Sequence, residues 1–264
     1  IMISYSIWDH LYSWVLLYVS FSVIGLTIFL KFTNNRSNES SNELVINTLN
    51  ISGVLFSLFI TFVVVTVWNN WEKMDAQIAT ESNSLANMYS QTYHLPESKR
   101  TPLRKAIRDY TNSLIVDEWP SLANNEPSKI TQDAFMQIRG EIHGLFNMPD
   151  DQRYFYSNIY PIYVQLSDLR RNRVHRTLSY LPDMVWYILF TGSFVTIFLS
   201  FFYKTQNVVI QYIMNFFVAL MFSMGMFLCY DLNNPFRGES KISSEAFQVL
   251  INNQFKISDT EANQ

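Results

Sequence analysis

The sequence predicts an all-α protein that crosses a membrane four times. The chain has 264 residues, of which only 16% are charged, against about 25% in a typical soluble domain. The deficit is confined to four stretches without Asp, Glu, Lys or Arg, at residues 11–30, 44–68, 184–203 and 205–230. Each is long enough to cross the hydrocarbon core, which takes about 20 apolar residues. Lipid offers backbone groups no hydrogen-bonding partner, so we expect four helices and exclude a soluble globule.

The distribution of Lys and Arg predicts the direction of the spans. Thirteen of the 19 lie between the second and third stretches. Cytoplasmic loops are enriched in Lys and Arg, so we expect this segment and, with an even number of spans, both termini in the cytoplasm. The predicted parts are a first span pair at 1–70, a central helical segment at 71–181, a second span pair at 182–231 and a tail at 232–264.

Apolar residues at helical spacing predict four helices in the central segment, with prolines near their ends. Proline is favoured in the first turn of a helix and disfavoured in its interior. We therefore expect one helix that continues the second span to Pro96, a second from Thr101 to Pro120, a third from Ser128 or Thr131, and a fourth from about residue 150 toward residue 180.

No arrangement of residues indicates an enzyme. The four histidines are far apart, glycine is scarce at seven residues, and neither a glycine-rich phosphate loop nor a metal-ligating histidine pair occurs. Asp117 and Glu118 are a candidate acid pair, but adjacent residues of a helix do not face one another. We predict no catalytic residue, no cofactor, no metal site and no nucleic-acid partner.

The second span carries a stripe of mostly polar or small residues. Its members are Asn47, Asn50, Val54, Ser57, Thr61, Val64 and Trp68. They recur at alternating steps of three and four, which places them on one face of a helix. Polar side chains at membrane depth normally face the bundle interior or a water-filled path. Both a pore-lining face and a face that packs through interhelical hydrogen bonds fit this pattern.

Acidic residues follow at the inner end of the second span. Glu72 and Asp75 lie one helical turn apart, and Glu81 follows. Repeated around the axis of an oligomer, such carboxylates would form rings that attract cations. The alternative is a structural pairing of Glu72 and Asp75 with arginines of the helix before the third span, which are Arg170, Arg173 and Arg176.

Two motifs resemble those of a known family. The apolar run at 60–65 and the string Trp-Asn-Asn-Trp-Glu at 68–72 resemble the end of the second membrane helix in bestrophin channels. The string after the fourth span resembles the Asn-Pro-Phe-Gly segment after their last membrane helix, and its motif residues here are Asp231, Pro235, Phe236, Gly238 and Glu239. Together with Glu118-Trp119-Pro120, the pattern is more similar to the bacterial bestrophin-like domain family, and the resemblance covers nearly the whole chain.

The resemblance implies a homo-oligomer, with a pentamer favoured, in which the second helix of each subunit lines a central pore. The bestrophin neck would fall on Asn50, Val54 and Leu58. Bestrophins carry bulky apolar residues at these positions, so Asn50 departs from the pattern. Animal bestrophins bind calcium with an acidic run after the Pro-Phe-Gly element. Residues 239–242 hold one carboxylate here, too few for Ca²⁺, so calcium gating is not predicted.

The sequence therefore predicts a bestrophin-like channel that conducts ions passively through the bacterial inner membrane. Its partners would be the lipid bilayer, the permeant ions and other copies of the chain. The alternative is a non-conducting membrane anchor whose cytoplasmic helices bind a partner or sense a signal. In that case the polar residues of the second span are buried against other helices.

Overall fold

A computed structural model describes residues 7–33, 39–146, 149, 153–175, 181–203, 205 and 207–256. Over these ranges the chain is helical and contains no β-strand, which confirms the predicted all-α class. The longer helices are α1 (Ile7–Phe32), α2 (Glu39–Gln91), α3 (Glu97–Ser113), α5 (Lys129–Phe146), α6 (Arg153–His175), α7 (Asp183–Ser200) and α8 (Val208–Leu232). The shorter ones are α4 (Trp119–Leu122) and α9 (Glu245–Val249), which adjoin π-helical segments at Leu114–Glu118 and Leu250–Gln254.

Four helices are long and apolar enough to cross a membrane, and they cover most of the four uncharged stretches. They are α1, α2, α7 and α8. With 53 residues, α2 is about 80 Å long at 1.5 Å per residue, more than twice the roughly 30 Å of the hydrocarbon core. The helix therefore continues well beyond the predicted span at 44–68.

The chain divides into two compact units. The span unit comprises residues 1–70 and 180–233, and the central unit comprises residues 71–179 and 234–264. The tail after the fourth span thus belongs to the same unit as the central helices. The boundary at residues 70 and 71 lies within α2, so α2 contributes residues to both units. The helix is continuous across this boundary.

Aromatic and small polar residues hold α1 against α7 and α8 in the span unit. The hydroxyl groups of Tyr18 and Ser193 lie 2.7 Å apart, and Ser22 Oγ donates to the carbonyl of Asn215 at 3.2 Å. The ring of Tyr18 also stacks on Phe194, with centroids 5.0 Å apart. Such short polar contacts are typical of helix packing in lipid, where the hydrophobic effect does not bring helices together.

α2 contacts α7 and α8 through one face. The ring of Phe56 lies against Gly192 of α7 and 5.4 Å from the ring of Phe222 in α8. Ile60, one turn further along α2, lies against Gly225 of α8. Glycine at these two positions leaves room for the larger side chains of α2.

The second central helix differs from the sequence prediction at both ends. It begins at Glu97, because the Pro96 carbonyl accepts the N–H groups of Lys99 and Arg100, each at 2.9 Å. Pro102 therefore lies inside the helix rather than in its first turn.

The helical path also does not end at Pro120. It continues through the π-helical segment into α4 and reaches Leu122. Pro120 lies in the first turn of α4, directly after the π-helical segment.

The third and fourth central helices agree more closely with the prediction. α5 begins at Lys129, and Ser128 Oγ accepts the N–H of Thr131 at 3.3 Å, as expected of an N-cap serine. α6 runs from Arg153 to His175. The predicted extensions at residues 150–152 and 176–180 lie outside the described residues.

Replacement of Gly192 by alanine tests the contact between α2 and α7. The added Cβ would overlap the ring of Phe56, which is buried, so we expect Gly192→Ala to lower the free energy of unfolding by about 1–3 kcal/mol. Gly140→Ala is the matched control, because a Cβ there meets no atom within 4 Å. Thermal denaturation in detergent measures both, and equal midpoints for the two variants would contradict the packing described.

Candidate functional site

The predicted stripe of the second span lies on the exposed side of α2. Exposed positions are Asn47, Asn50, Val54, Ser57, Leu58, Thr61 and Trp68, and Val64 is half-buried. The buried residues of this part of α2 are Phe56, Val63 and Val67. Val63 follows Val54 by nine residues, or two and a half helical turns, so the two lie on opposite sides of the helix. The stripe therefore faces away from the side of α2 that packs on α7 and α8.

The hydroxyl groups of the stripe bond to their own helix. Ser57 Oγ donates to the carbonyl of Val54 at 2.9 Å, and Thr61 Oγ1 donates to the carbonyl of Ser57 at 2.7 Å. Each hydroxyl proton is thus used within α2, and the oxygen lone pairs remain available on the exposed side. The stripe presents an uncharged surface on which asparagine amides and hydroxyl oxygens alternate with apolar side chains such as Val54 and Leu58.

The three predicted carboxylates of α2 separate onto two faces. Glu72 and Asp75 are exposed, and neither forms an ion pair with a described residue. Glu72 follows Val54 by five full turns and so shares its side of the helix. Glu81, a further two and a half turns along, lies on the opposite side and is fully buried.

Arg173 holds two buried carboxylates in the central unit. Its Nε donates to Glu81 Oε2 at 2.9 Å and its Nη2 to Glu81 Oε1 at 3.2 Å, so this contact is bidentate. Its Nη1 donates to Glu118 Oε1 at 3.1 Å. All three side chains are fully buried. Arg173 thus pairs with Glu81 and Glu118, not with Glu72 or Asp75 as the structural alternative expected.

Tyr110 and Arg170 complete this ion-pair cluster, which comprises Glu81, Tyr110, Glu118, Arg170 and Arg173. Tyr110 donates its hydroxyl to Glu81 Oε1 at 3.1 Å. Arg170 Nη2 lies 3.8 Å from Glu118 Oε1. Two guanidinium groups therefore face two carboxylates, which balances the formal charge of the cluster. Arg176, the third predicted arginine, lies outside the described residues.

Burial and neighbouring charges together shift the pKa values of Tyr110 and Arg173. Burial, together with the negative charge of Glu81, raises the pKa of Tyr110 well above its usual value, so the hydroxyl remains a donor. Burial alone would lower the pKa of Arg173, but Glu81, Tyr110 and Glu118 more than offset this and raise it. The Arg173 guanidinium therefore remains charged.

Sequence reasoning did not select Tyr110 and Glu118 as site residues. The sequence presents Glu118 as half of a candidate acid pair and as the first residue of the Glu-Trp-Pro string. The π-helical segment Leu114–Glu118 ends at this residue, and such single π turns are frequent at functional sites. No spacing rule reveals the contact of Tyr110 with a carboxylate 29 positions away.

The motif after the fourth span forms a loop fastened by two tryptophans. Trp71 Nε1 donates to the carbonyl of Ser240 at 2.6 Å, and Trp119 Nε1 donates to the carbonyl of Ile242 at 2.9 Å. The N–H of Ile242 closes the loop on the carbonyl of Pro235 at 2.8 Å. Gly238 within it has a φ of 95°, which favours glycine.

The remaining members of this motif differ in exposure. Asp231, Pro235 and Phe236 are buried, and Glu239 is exposed. The ring of Phe236 packs edge-on against Trp119, with centroids 5.5 Å apart. In the part of the chain that the structure describes, no three His, Cys, Asp or Glu residues are grouped as metal ligands.

Comparison with protein families supports the resemblance seen in the motifs. A family model described as the bestrophin-like domain matches residues 16–247. The chain belongs to the bestrophin-like domain family. With four apolar helices long enough to span a bilayer, it is a membrane protein.

Solved structures of similar fold cover almost the whole bestrophin-like chain. A bacterial bestrophin homologue from Klebsiella pneumoniae has a TM-score of 0.69 at 13% identity, over 93% of this chain and 97% of the other. A point mutant of that homologue has a TM-score of 0.67 at 13% identity, over 95% and 98%. A mutant described only as a membrane protein has a TM-score of 0.69 at 13% identity, over 94% and 98%. At this identity the likeness is one of fold. No curated protein matches the sequence.

Glu81 and Glu72 offer a matched test of the ion-pair cluster, because the same change on one helix removes a buried and an exposed carboxylate. Glu81→Gln leaves the buried Arg173 without its bidentate partner, and we expect it to lower the free energy of unfolding by about 3–5 kcal/mol. Glu72→Gln should change it by less than about 0.5 kcal/mol. Thermal denaturation in detergent compares the two, and similar losses would show that Glu81 is not paired as described.

Proposed function

We propose that the protein is an oligomeric ion channel, with a pentamer favoured, in which α2 of each subunit lines a central pore. The observation that carries this proposal is the orientation of α2. Its packed side carries Phe56, Val63 and Val67, and its opposite side carries the stripe of asparagines and hydroxyls. Membership of the bestrophin-like family supports the same function.

The stripe also supports assembly into an oligomer. In a single chain, Asn47, Asn50 and Ser57 are exposed at the depth of a predicted span. Polar groups that face hydrocarbon without partners are costly. Copies arranged around an axis would turn these side chains toward a shared aqueous path and away from lipid, and closed symmetry is the usual form of such assemblies.

Val54 and Leu58 are the proposed constriction of this pore. They lie one turn apart on α2 and are 66% and 53% exposed in the single chain. Apolar side chains around an axis can narrow a pore and exclude water. Asn50, one turn before Val54, adds a polar amide at the outer end, so the apolar section would be short.

Glu72 and Asp75 are the proposed charges at the inner end of the pore. Both are exposed on the stripe side of α2, whereas the basic residues predicted as their partners, Arg170 and Arg173, contact other groups. The carboxylates would form rings that concentrate cations by electrostatic focusing.

The positive-inside rule supports a cytoplasmic location for this end of the pore, both termini and the central unit. The spans would then cross the inner membrane of a bacterium.

Planar bilayers that contain the purified protein test conduction and the lining face together. Cys229, the only cysteine, is buried, so a water-soluble thiol reagent should leave the wild-type current unchanged. The reagent should inhibit Thr61→Cys, on the stripe, and should not inhibit Val63→Cys, on the packed side. Val54→Ala should raise the single-channel conductance because it widens the constriction.

Two results would contradict the channel proposal. The absence of current from both the wild type and Val54→Ala would support the alternative of a non-conducting anchor. Equal inhibition of Thr61→Cys and Val63→Cys would show conduction through a path that α2 does not line.

Neutralisation of the acidic pair tests its effect on permeation. We expect Glu72→Gln combined with Asp75→Asn to lower the cation current about twofold at about 0.1 M salt and to change it little at about 1 M, where charges are screened within about 3 Å. Glu97→Gln, an exposed carboxylate at the start of α3, is the control and should have no effect. A loss that persists at high salt would argue against an electrostatic role.

A further inference from the structure

A cavity between α5 and α6 in the central unit includes three arginine side chains in its lining. Its volume is about 220 Å³, and its lining includes Arg139, Arg170, Arg171 and His175. No acidic residue is among the described residues that line it. Three guanidinium groups therefore line a cavity to which no described carboxylate contributes.

Arg170 is the buried arginine in the lining of this cavity. Its side chain is about nine-tenths buried, and its Nε has no hydrogen-bond partner. One terminal nitrogen donates to Gln132 Oε1 at 2.7 Å, a neutral acceptor. The other lies 3.8 Å from Glu118 Oε1, an oxygen that Arg173 already holds at 3.1 Å. Arg170 is thus a buried cation whose carboxylate contact is long and shared with Arg173, and its Nε remains a donor without a partner.

The other two arginines of the cavity, Arg139 and Arg171, are not neutralised by strong ion pairs with described residues. Arg139 is exposed, and no ion pair joins it to a described residue. Arg171 lies 3.1 Å from Asp168, but both side chains are more than 60% exposed, and such surface pairs are weak. Either guanidinium can turn toward a ligand at little cost.

Neutral donors and an aromatic wall complete the lining. Tyr163 and Ser167 contribute hydroxyl groups, and burial raises the pKa of Tyr163, which keeps its hydroxyl protonated. The ring of Tyr163 stacks on Phe135, with centroids 5.5 Å apart. This stacking holds one wall in position beside Arg170, whose guanidinium lies 5.3 Å from the Phe135 ring centroid.

We propose that this cavity is a binding site for a small oxyanion with two negative charges, either a phosphate or a short dicarboxylate. Planar guanidinium groups donate paired hydrogen bonds that match both kinds of oxyanion. The size agrees, because pockets for drug-sized ligands usually measure about 300–1,000 Å³, above the volume found here. The site is separate from the stripe of α2, and its existence does not depend on conduction.

Titration calorimetry of the full-length protein in detergent, with inorganic phosphate and succinate as probes at constant ionic strength, tests the proposal. We expect saturable binding of at least one probe, and the one that binds at lower concentration identifies the oxyanion class. Arg139→Gln and Arg171→Gln should each weaken that binding about tenfold, since each removes a charge-assisted contact. Lys129→Gln is the matched control, because it removes an exposed positive charge at the start of α5, outside the cavity.

Thermal denaturation without added anion shows whether the variants remain folded, which we expect because Arg139 and Arg171 are exposed. Three results would overturn the proposal. The first is the absence of saturable binding of either probe below about 10 mM, which corresponds to a binding free energy of about 3 kcal/mol. The second is unchanged binding in both arginine variants. The third is an equal loss of binding in Lys129→Gln, which would indicate a non-specific effect of charge.

Discussion

The bidentate pair between Arg173 and Glu81 determines which side of α2 is buried in the central unit. Both side chains are fully buried, so rotation of the helix away from this contact would leave the Glu81 carboxylate without its cation in the interior of the central unit, at a cost of several kcal/mol. With Glu81 turned inward, helical geometry turns Glu72, two and a half turns earlier, outward. Val54, five turns before Glu72, lies on that same free side. In the span unit, burial of Phe56, Val63 and Val67 by itself leaves the side that carries Val54 exposed.

The loop after the fourth span is connected to the same cluster. Trp119 follows Glu118 directly, and its ring lies 5.4 Å from the guanidinium of Arg173 while its N–H donates to Ile242. Trp71 of α2 donates to Ser240 in the same loop. The two motifs that resemble the bestrophin family are therefore parts of one arrangement, in which the tryptophans bind the loop beside the residues that orient α2.

Much of the fold follows from the sequence, because spans and helical faces depend on composition and spacing. The pairing of charges was harder to predict. Glu81 lies three residues after Ile78 and four before Leu85, both on the buried side of α2, so the apolar spacing could have assigned it to the interior. Glu118 could not be placed in this way, since the π-helical segment before it changes the angular spacing on which such assignments depend. The start of α3 was missed because a proline can precede a helix as well as begin one.

Arg170 connects the proposed anion cavity to the cluster that orients α2. Its guanidinium lies between the cavity and Glu118, at the longest of the cluster's charge contacts, 3.8 Å. An anion bound in the cavity would attract the Arg170 guanidinium and weaken its contact with Glu118. Arg173 would then be the main cation that compensates Glu118. Arg173 also holds Glu81, so the charge that Glu81 experiences depends on how strongly Arg170 compensates Glu118. Occupancy of the proposed cavity site would therefore act on Glu81 of α2 through two arginines of one helix, all within the central unit.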